Sequence, residues 1–558
     1  MSRIADVYAR IAASGRDEVF VTLRPEADVA AEYAAATGPL AGLVLAVKDN
    51  VDAAGLPTTA ACPGYAYIAK ADAAAVAALR AAGATVIGKT NLDQFATGLV
   101  GTRSPYGAVR DSRRAEFVSG GSSSGSAVAV ALGFADLAIG TDTAGSGRVP
   151  AGLQGIVGIK PTVGVVSTDG VVPACASYDC VTVFAADLAL AERAMAVMAA
   201  PASAREWPSD TKFAAPPAPR IAVPAALPNT DSRWSAAFDD AVVRVRESGA
   251  EVVAVDFADF FAAAELLYGG ALVAERYDAV GEFVSAAGPD TGLDPTVTSI
   301  IEGGKDVRAV DLLRDRRRVA ELKARAMASV EGFDALMVPT APRHPTLAEV
   351  AADPIGVNSE LGTFTNFCNL FDLCAVAVPA GAVDEGEAGV AQFGVTLLGR
   401  AFDDAVVADL ARRLAPGAEA AGPSWPEAAG AQALRLAVFG AHLPGQPLQW
   451  QLTDRGARWD GDVATAPRYR LFRLDTQPPK PGLVPVEGSK GHSIAGGVWT
   501  LSPAALGAFL AALPAPMTLG EIELDDGSLV TGFGCGEDAP RAEDITDHGG
   551  WLAALARP

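Results

Sequence analysis

Cysteine and histidine are scarce in this sequence, and neither is grouped in a way that suggests a metal centre or a disulfide framework. Of the 558 residues, six are cysteine and four are histidine. No two cysteines form a CxxC pair, and no Cys/His cluster has the spacing of a zinc site. We therefore expect no bound metal, and cysteine thiols that stay reduced in the cytoplasm.

Long apolar runs are also missing. The best candidates are interrupted by charged residues such as Asp136, Asp187 and Glu192, so none reaches the ~20 apolar residues of a membrane-spanning helix. The first residues include Asp6 and Arg10 where a secretory leader would have a basic and then an apolar segment. The sequence therefore predicts neither a membrane span nor a secretory signal.

Basic residues are outnumbered by acidic ones. Lys and Arg total 44 against 66 Asp and Glu, which gives a formal net charge of −22. Such a charge repels nucleic acid and anionic membrane surfaces, so we expect neither as a partner. It also repels an anionic small molecule at long range, so a substrate with an acid group needs a cation close to its binding site.

The sequence does contain enough apolar material for more than one domain. A chain of 558 residues with 50% hydrophobic and 20% charged residues predicts two or three globular domains. Between Gly38 and about Met198, short apolar strands such as Leu43–Val47 and Leu137–Ile139 alternate with Ala-rich helices such as Ser126–Leu132. This alternation indicates an α/β layer architecture.

Two changes of composition follow later in the chain. A Pro/Ala-rich connection covers Pro208–Pro219, and a dense Pro/Gly/Ala stretch covers 414–432. We therefore predict a first domain at residues 1–413, a linker at 414–432, and a smaller β-rich or α+β domain at residues 433–558.

Two turns rich in glycine and hydroxyl groups are the strongest functional signal. They cover Gly120–Ser126 and Gly140–Pro150, and an apolar run upstream ends at Lys48. A serine hydroxyl is a weak nucleophile that needs a base. These parts are typical of a serine hydrolase whose base is not histidine. A lysine can be the base only when it is neutral, which requires burial away from a carboxylate to lower its pKa well below ~10.4.

A linker, a phosphate-binding loop and a nucleophile elbow fit the two turns less well. A Gly/Ser run is usually a linker, but this one leads directly into the apolar run Ala127–Leu132. Neither turn contains the GK[ST] of a phosphate-binding loop. Gly121–Gly125 also fits the G-x-S-x-G elbow of α/β-hydrolases, which needs a later Asp and His. His344 would have to serve, and its neighbours in Pro342–Pro345 include no acid or hydroxyl.

The first domain resembles the amidase signature family. Lys48, Ser122 and Ser146 fall where that family has its lysine, its cis-peptide serine and its nucleophilic serine. The resemblance implies an α/β fold with a central mixed β-sheet flanked by helices. It further implies that Ser146 is the nucleophile and that Lys48 is its base, acting through the Ser122 hydroxyl. A cis peptide bond is also implied, which we expect between Ser122 and Ser123.

The same resemblance implies an oxyanion hole in the second turn. Four backbone N–H groups are expected to point towards one place. They belong to Thr143, Ala144, Gly145 and Ser146. Asp142 and Arg148 are expected to brace this loop.

Three further features resemble the allophanate hydrolase branch of that family. The two turns have its Ser-Ser-Ser-Gly-Ser and Thr-Ala-Gly-Ser-Gly-Arg variants, and Leu267–Tyr277 resembles its substrate-binding segment. Ala437–Leu443 and Val484–Gly488 resemble parts of its second domain. For that domain the resemblance implies an α+β structure similar to the γ-glutamyl cyclotransferase-like fold.

The branch also implies residues that bind an anionic substrate. Arg276 would pair with the carboxylate of allophanate, Tyr268 would donate a hydrogen bond beside it, and Gly121 would contact the substrate. On a single helix, Tyr268 and Arg276 would lie about 80° apart and could face one pocket. The alternative for Arg276 is a surface charge paired with Glu275 or Asp278.

Two histidines in the C-terminal part are candidates for a second activity. In the allophanate hydrolase branch, the second domain processes the carboxylated product of the first. This implies a catalytic role for His442, which lies in the resembling motif, while His492 lies outside it. A structural hydrogen-bonding role is the alternative for either residue.

The resemblance thus predicts hydrolysis of allophanate to ammonia and carbon dioxide without a metal or organic cofactor. It also implies a cytoplasmic homodimer that is functionally coupled to a urea carboxylase or to a biuret or cyanurate pathway. One alternative is another small-amide amidase with a purely structural C-terminal domain. A second is an amidotransferase subunit of a tRNA-dependent complex, against which the acidic charge and the C-terminal domain argue.

Overall fold

The computed structural model describes residues 2–200, 205–415, 423–487, 490–535 and 542–556. These residues form two compact units. The first unit contains the described residues up to Glu206 and those from Ala218 to residue 415. The second contains Trp207–Pro217 and the described residues from 423 onwards. Residues 416–422, within the predicted linker at 414–432, lie outside the described residues.

The first unit is built around a large mixed β-sheet. Its strands, with one short hairpin (β3 and β4) outside the sheet, are β1 (Phe20–Leu23), β2 (Val44–Lys48), β3 (Pro57–Thr58), β4 (Tyr67–Ile68), β5 (Thr85–Thr90), β6 (Leu137–Asp142), β7 (Val157–Lys160), β8 (Cys180–Ala185), β9 (Arg220–Pro224), β10 (Glu251–Val255), β11 (Ala335–Pro339), β12 (Cys374–Asp384) and β13 (Val390–Gly399). Among the described residues, eleven strands pair in the order β1-β5-β2-β6-β8-β7-β12-β13-β11-β9-β10.

The first unit also contains α-helices. They are α1 (Arg3–Ser14), α2 (Glu26–Ala35), α3 (Ala74–Ala81), α4 (Ser124–Ala131), α5 (Val149–Gln154), α6 (Leu188–Ala199), α7 (Ser232–Glu247), α8 (Ala258–Gly269), α9 (Ala274–Ala286), α10 (Pro295–Glu302), α11 (Ala309–Ser329), α12 (Leu347–Ala352), α13 (Gly356–Leu361), α14 (Asn366–Leu370) and α15 (Asp404–Leu414). The predicted α/β architecture with a central mixed sheet is confirmed.

Strands β5, β2 and β6 are parallel neighbours near one end of the sheet. Every residue of β2 is buried, and its residues before Lys48 are all apolar. This sequence suits a strand enclosed between two others and covered on both faces. Val47 of β2 is in register with Ile139 of β6. The carboxyl end of β2, which is Lys48, therefore lies beside the residues that lead into the second glycine-rich turn.

Small residues at the start of α4 allow it to pack closely against the strands. Ser124, Gly125 and Ser126 are buried. A Cβ on Gly125 would lie 2.4 Å from the carbonyl oxygen of Val19, so a larger residue there would collide with backbone. The first turn is therefore the tightly packed start of a helix, and the linker interpretation of its composition is wrong.

The second unit is a smaller α+β structure. Its strands are β14 (Leu434–Val438), β15 (Arg458–Ala464), β16 (Tyr469–Leu474), β17 (Lys480–Pro485), β18 (Ala495–Leu501), β19 (Met517–Glu523), β20 (Leu529–Cys535) and β21 (Glu543–Asp544). Its helices are α16 (Trp425–Ala428), α17 (Trp450–Thr453), α18 (Pro503–Ala511) and α19 (Trp551–Leu555). In the described part, the sheets have the orders β15-β18-β14-β20-β19 and β17-β16-β21. The predicted α+β class of this domain is confirmed.

The segment Trp207–Pro217 belongs to the second unit although it is far from it in sequence. The backbone N–H of Phe213 donates to the carbonyl of Gly456, and the ring of Trp207 lies 5.5 Å from that of Trp425. The Pro/Ala composition of this stretch predicts a connection and gives no sign of a distant partner.

The described residues contain no helix long and apolar enough to cross a membrane. Over the same ranges, no group of three or more His, Cys, Asp or Glu side chains could hold a metal ion. All six cysteines lie within the described ranges, and none of them forms a disulfide there.

We expect Phe213→Ala to destabilise the second unit. The ring is buried, and removal of a buried aromatic side chain costs about 3–5 kcal/mol. In hydrogen exchange of the full chain, followed by mass spectrometry, the amides of β14 and β18 should exchange faster and those of β2 and β6 should not change. Leu529→Ala, at an exposed position of the same unit, is the control. Faster exchange confined to β2 and β6 would contradict this assignment of the segment.

Candidate active site

A lysine and two serines form a buried hydrogen-bonded chain at the carboxyl end of β2. Lys48 Nζ lies 2.9 Å from Ser122 Oγ, and Ser122 Oγ lies 2.9 Å from Ser146 Oγ. Lys48 and Ser122 have no exposed surface, and Ser146 is 3% exposed. The structure thus brings together the three residues that the sequence motifs singled out.

The amine of Lys48 is surrounded by hydroxyl groups. In addition to Ser122, Lys48 Nζ donates a hydrogen bond of 2.7 Å to Thr141 Oγ1. Burial lowers the pKa of Lys48 to about 7, against the opposing effect of negative charge on Asp93, Asp142 and Asp179. Among the described residues, Lys48 forms no ion pair with a carboxylate. A neutral amine at this position can accept a proton from a serine.

The first turn contains a cis peptide bond between Gly121 and Ser122. The expectation of a cis bond between Ser122 and Ser123 is wrong by one residue. Gly121 is closely surrounded, since an added Cβ would lie 2.1 Å from Asp93 Oδ2. Its N–H donates to the carbonyl of Leu99. Only glycine fits at this position of the turn.

The nucleophile elbow of an α/β-hydrolase is excluded by the contacts of its would-be members. The elbow serine would be Ser123, whose hydroxyl donates to the carbonyl of Thr141. His344 is buried, with Nε2 2.7 Å from the carbonyl oxygen of Val118 and Nδ1 2.8 Å from a guanidinium nitrogen of Arg114. The imidazole therefore does not serve as a base for this serine.

The second turn is braced by a buried ion pair, as expected. The guanidinium of Arg148 donates to both carboxylate oxygens of Asp142, each at 2.9 Å, and the N–H of Gly147 donates to Asp142 Oδ2 at 3.0 Å. Burial raises the pKa of Asp142, but the Arg148 charge and hydrogen bonds, the Lys160 charge and the Gly147 N–H together outweigh that effect and hold the pKa below its ordinary value. The pair fixes both ends of the loop that contains Ser146.

Four consecutive backbone N–H groups in this loop have no acceptor within the described part of the protein. They belong to Thr143, Ala144, Gly145 and Ser146. Gly145 has φ of 145°, and a Cβ there would lie 2.4 Å from Thr365 Oγ1. The Thr143 hydroxyl donates to Asp179 and anchors the start of the segment. Unsatisfied N–H groups beside a serine can stabilise the oxyanion of a tetrahedral intermediate.

The arrangement therefore contains the components of acyl transfer with a lysine base. It combines a serine hydroxyl, a second hydroxyl that connects it to a neutral amine, and a group of free N–H donors. Residues 7–407 match the family model described as Amidase. The chain belongs to the amidase family. Residues 434–556 match a second model, described as the allophanate hydrolase C-terminal domain.

Relatives of this amidase are similar over different shares of the chain. Urea amidolyase of Saccharomyces cerevisiae is 42% identical over 554 residues, or 93% of this chain, but the chain spans only 30% of that protein. One glutamyl-tRNA(Gln) amidotransferase subunit, from Symbiobacterium thermophilum, is 37% identical over 412 residues, which is 67% of this chain and 82% of that protein. The solved structure of Kluyveromyces lactis allophanate hydrolase is 38% identical, with a TM-score of 0.89 over 99% of this chain and 96% of that one. The chain is an amidohydrolase.

Arg276 is buried at the start of α9. One of its guanidinium nitrogens donates to Thr97 Oγ1 at 2.9 Å, and within the described ranges Nη2 has no hydrogen-bond partner. The alternative of a surface charge paired with Glu275 or Asp278 is wrong. Glu275 pairs instead with Arg316 at 3.0 Å. A buried guanidinium with a free nitrogen can bind an anion.

Tyr268 contacts Arg276, although the two residues do not lie on a single helix as expected. Tyr268 lies in α8, which ends at Gly269, and Gly270 is extended before a short 3-10 turn leads into α9. The Arg276 guanidinium carbon lies 4.6 Å from the centre of the Tyr268 ring. The two side chains do meet, but the chain bends between them.

The two C-terminal histidines have different surroundings. His442 is buried, with Nε2 2.9 Å from Gln451 Oε1, and its ring stacks on Phe533 at 4.9 Å. Burial lowers the pKa of His442. His492 is exposed and pairs through its backbone with Tyr469.

Several residues that shape the site were missed by sequence reasoning. Thr141 stands next to Asp142 in the second glycine-rich turn, Gly140–Pro150, and could have been found from that position. Asp93 accepts three backbone N–H groups in the loop that packs on Gly121, and Asp179 accepts the Thr143 hydroxyl. Neither aspartate lies in a recognisable motif, so no local pattern could have indicated them.

We expect Ser146 to become more nucleophilic as pH rises through about 7, because Lys48 is protonated below its pKa and accepts a proton only above it. A sulfonyl fluoride should label Ser146 at a rate that rises about tenfold per pH unit below the pKa and then levels off. The rate is measured by mass spectrometry of the labelled peptide.

The matched variant is Lys48→Arg, which keeps the positive charge but cannot release a proton near neutral pH. It should not be labelled. A labelling rate that is flat between about pH 5 and 9, or rapid labelling of the arginine variant, would show that Lys48 is not the base.

Proposed function

We propose that this amidase hydrolyses allophanate, with Ser146 as nucleophile and Lys48 as base. The observation that carries the proposal is the buried chain from Lys48 Nζ through Ser122 Oγ to Ser146 Oγ, with 2.9 Å at each step. Similarity over 99% of the chain to an allophanate hydrolase supports the choice of substrate.

In the first half of the reaction, Ser146 Oγ attacks the carbonyl carbon of the terminal amide of allophanate. Its proton passes to Ser122, and the Ser122 proton passes to Lys48. The N–H groups of Thr143–Ser146 stabilise the oxyanion. As the intermediate collapses, the C–N bond breaks and the relay returns a proton to the departing nitrogen, which leaves as ammonia.

In the second half, water hydrolyses the acyl-enzyme. Lys48 and Ser122 remove a proton from the water, the hydroxide attacks the acyl carbon, and the Ser146 oxygen takes the proton back as it leaves. The product is N-carboxycarbamate, in which one nitrogen bears two carboxylates. Loss of carbon dioxide from both carboxylates then gives the second ammonia. In total, each allophanate gives two ammonia and two carbon dioxide and consumes one water and one proton.

Arg276 supplies the local cation that an anionic substrate requires in a chain of net charge −22. Its unpartnered Nη2 is available to the allophanate carboxylate, and the Tyr268 ring on its guanidinium holds it in place. Tyr268 and Gly121 are proposed to complete the substrate pocket. A neutral amide has no group that needs this charge.

The alternatives are less well supported. The amidotransferase protein of Symbiobacterium thermophilum matches 67% of this chain, whereas the allophanate hydrolase structure covers 99% of it. The second unit thus has a counterpart in the latter. We propose that this unit processes N-carboxycarbamate, with His442 as the residue that acts on it.

The same relatives support a proposal for the metabolic setting. Urea amidolyase of Saccharomyces cerevisiae contains a region similar to this chain within a longer protein. We therefore propose coupling to a urea carboxylase, which would supply allophanate. A homodimer in the cytoplasm, where cysteine thiols stay reduced, remains part of the proposal.

We expect the full chain to release ammonia from allophanate without added metal, ATP or partner protein, and Ser146→Ala to reduce this activity to the background rate. The change removes the nucleophile and leaves the ion pair of the loop in place. An ammonia assay checks it, with thermal unfolding as the control for folding. More than a few per cent of residual activity would place the nucleophile elsewhere.

We expect Arg276→Ala to lower the activity on allophanate, which has a carboxylate, more than the activity on a neutral substrate. It should lose roughly 2–4 kcal/mol of transition-state binding for allophanate, as for a charge pair broken in a buried site. Biuret, which has an amide in place of the carboxylate, is the matched neutral substrate and should be affected far less. Comparable losses of kcat/KM on both substrates would mean that Arg276 only supports the structure.

We expect His442→Ala to leave release of the first ammonia intact and to let N-carboxycarbamate accumulate. Imidazole is the side chain best able to move a proton near neutral pH. Rapid carbon-13 NMR of labelled allophanate measures the intermediate, and His492→Ala is the control. Identical product profiles for the wild type and both variants would leave the second unit a structural role.

A further inference from the structure

The guanidinium of Arg276 is held by one hydroxyl group, that of Thr97. Arg276 Nη1 donates to Thr97 Oγ1 at 2.9 Å, and each residue is only 1% exposed. Within the described ranges this is the hydrogen bond that the Arg276 side chain makes, and Nη2 has no partner there. The hydroxyl, together with the Tyr268 ring on the guanidinium, therefore determines where the free nitrogen points.

The proton of the Thr97 hydroxyl points away from Arg276. Thr97 Oγ1 donates to the backbone carbonyl of Phe95 at 3.2 Å. A hydroxyl has one proton and two lone pairs, whereas a guanidinium can only donate. The proton is thus taken by the carbonyl, and a lone pair is left for Arg276. Donor and acceptor match on both sides of this hydroxyl.

The backbone of Thr97 is also fixed on both sides. Its N–H donates to the carbonyl of Gln94 at 3.0 Å, and its carbonyl accepts from Arg103 Nη1 at 2.9 Å. Arg103 is itself buried, and its Nη2 donates to the carbonyl of Pro354. Because backbone and side chain are both bonded, Thr97 has little freedom to follow a guanidinium that moves.

The loop that contains Thr97 is bonded to the turn that contains Ser122. The N–H of Asp93 donates to the carbonyl of Ser122 at 3.1 Å. On the other side of Thr97, the carbonyl of Leu99 accepts the N–H of Gly121 at 2.8 Å. Thr97 lies between these two attachment points in the sequence. The loop therefore fixes the hydroxyl that holds the guanidinium relative to the catalytic serines.

We propose that Thr97 is a positioning residue that directs Arg276 Nη2 towards the carboxylate of the substrate and keeps it in a fixed place relative to the nucleophile. Thr97 acts through Arg276 and does not itself touch the reacting atoms. The inference rests on the proposed function, because it requires an anionic amide as the substrate. Without this hydroxyl the charge of Arg276 remains, but its direction is no longer fixed.

The test compares Thr97→Val, which keeps the shape of the side chain without the hydroxyl, with Thr97→Ser, which keeps the hydroxyl. On allophanate, Thr97→Val should lower kcat/KM by about tenfold or more, because a hydrogen bond to a charged group is lost. The loss should lie mainly in a higher KM, since substrate and transition state both have the carboxylate. On biuret, kcat/KM should hardly change. Thr97→Ser should restore most of the activity on allophanate.

A matched control and a double variant separate positioning from a structural role. Thr340→Val removes another buried hydroxyl of the same unit, which is bonded to Thr396 at 2.9 Å, and should leave the ratio of the two kcat/KM values unchanged. In an Arg276→Ala background, Thr97→Val should cause no further loss on allophanate, because the group that Thr97 positions is gone. Thermal unfolding checks that each variant folds, and Thr97→Ala, which also lacks the hydroxyl, should behave like Thr97→Val.

Equal losses on allophanate and biuret, or a further loss on allophanate when Thr97→Val is added to Arg276→Ala, would overturn the proposal. Malonamate and malonamide, which have a methylene in place of the nitrogen between the two carbonyl carbons of allophanate and biuret, separate this result from a failure of the proposed function. Hydrolysis of malonamate but not of allophanate, with a loss on malonamate alone in Thr97→Val, would support the positioning role and contradict the proposed function. Allophanate hydrolysis that Thr97→Val leaves unchanged would have the opposite meaning, and hydrolysis of neither anionic amide would contradict both.

Discussion

The site depends on a lysine amine that is buried without a carboxylate of its own. Lys48 is close enough to Asp93, Asp142 and Asp179 for their charges to raise its pKa, yet the cost of burying its charge is larger. Each of these carboxylates is occupied elsewhere, by Arg148 in one case and by hydroxyl or backbone N–H groups in the others. The amine is left with hydroxyl partners, which suit its neutral form.

The sheet explains how this environment is assembled. Parallel strands β2 and β6 bring Lys48 and the residues around Thr141 to one edge, and the second turn starts from that edge. Close packing at Gly121 and Gly125 then fixes the first turn, and the Asp142–Arg148 pair fixes the second. Hydroxyls and amine are held by buried backbone, so little rearrangement is needed when a substrate binds.

Much of the fold and of this site could be predicted from local sequence. The strand expected at Leu43–Val47 is observed at Val44–Lys48, and the helix expected at Ser126–Leu132 is observed at Ser124–Ala131. Apolar runs and glycine-rich turns can be recognised from a few consecutive residues. Resemblance to a family added Arg276, which no local pattern distinguishes from a surface charge.

The features that could not be predicted depend on contacts between distant parts of the chain. Asp179 accepts a hydrogen bond from the Thr143 hydroxyl, which lies in a different loop. Trp207–Pro217 packs on a unit that begins about two hundred residues later. The bend at Gly270 is stabilised by Asp315, which accepts the N–H of the following residue. None of these partners is marked by the sequence around it.

The central claim is that Lys48 is neutral at the pH at which the enzyme works. It is tested most directly by carbon-13 NMR of the side-chain Cε signals in protein labelled at lysine, with the Lys48 signal identified by its loss in Lys48→Arg. We expect this signal to titrate with a pKa of about 7. A Lys48 signal that stays in its charged form up to about pH 10, as for an ordinary lysine, would contradict it.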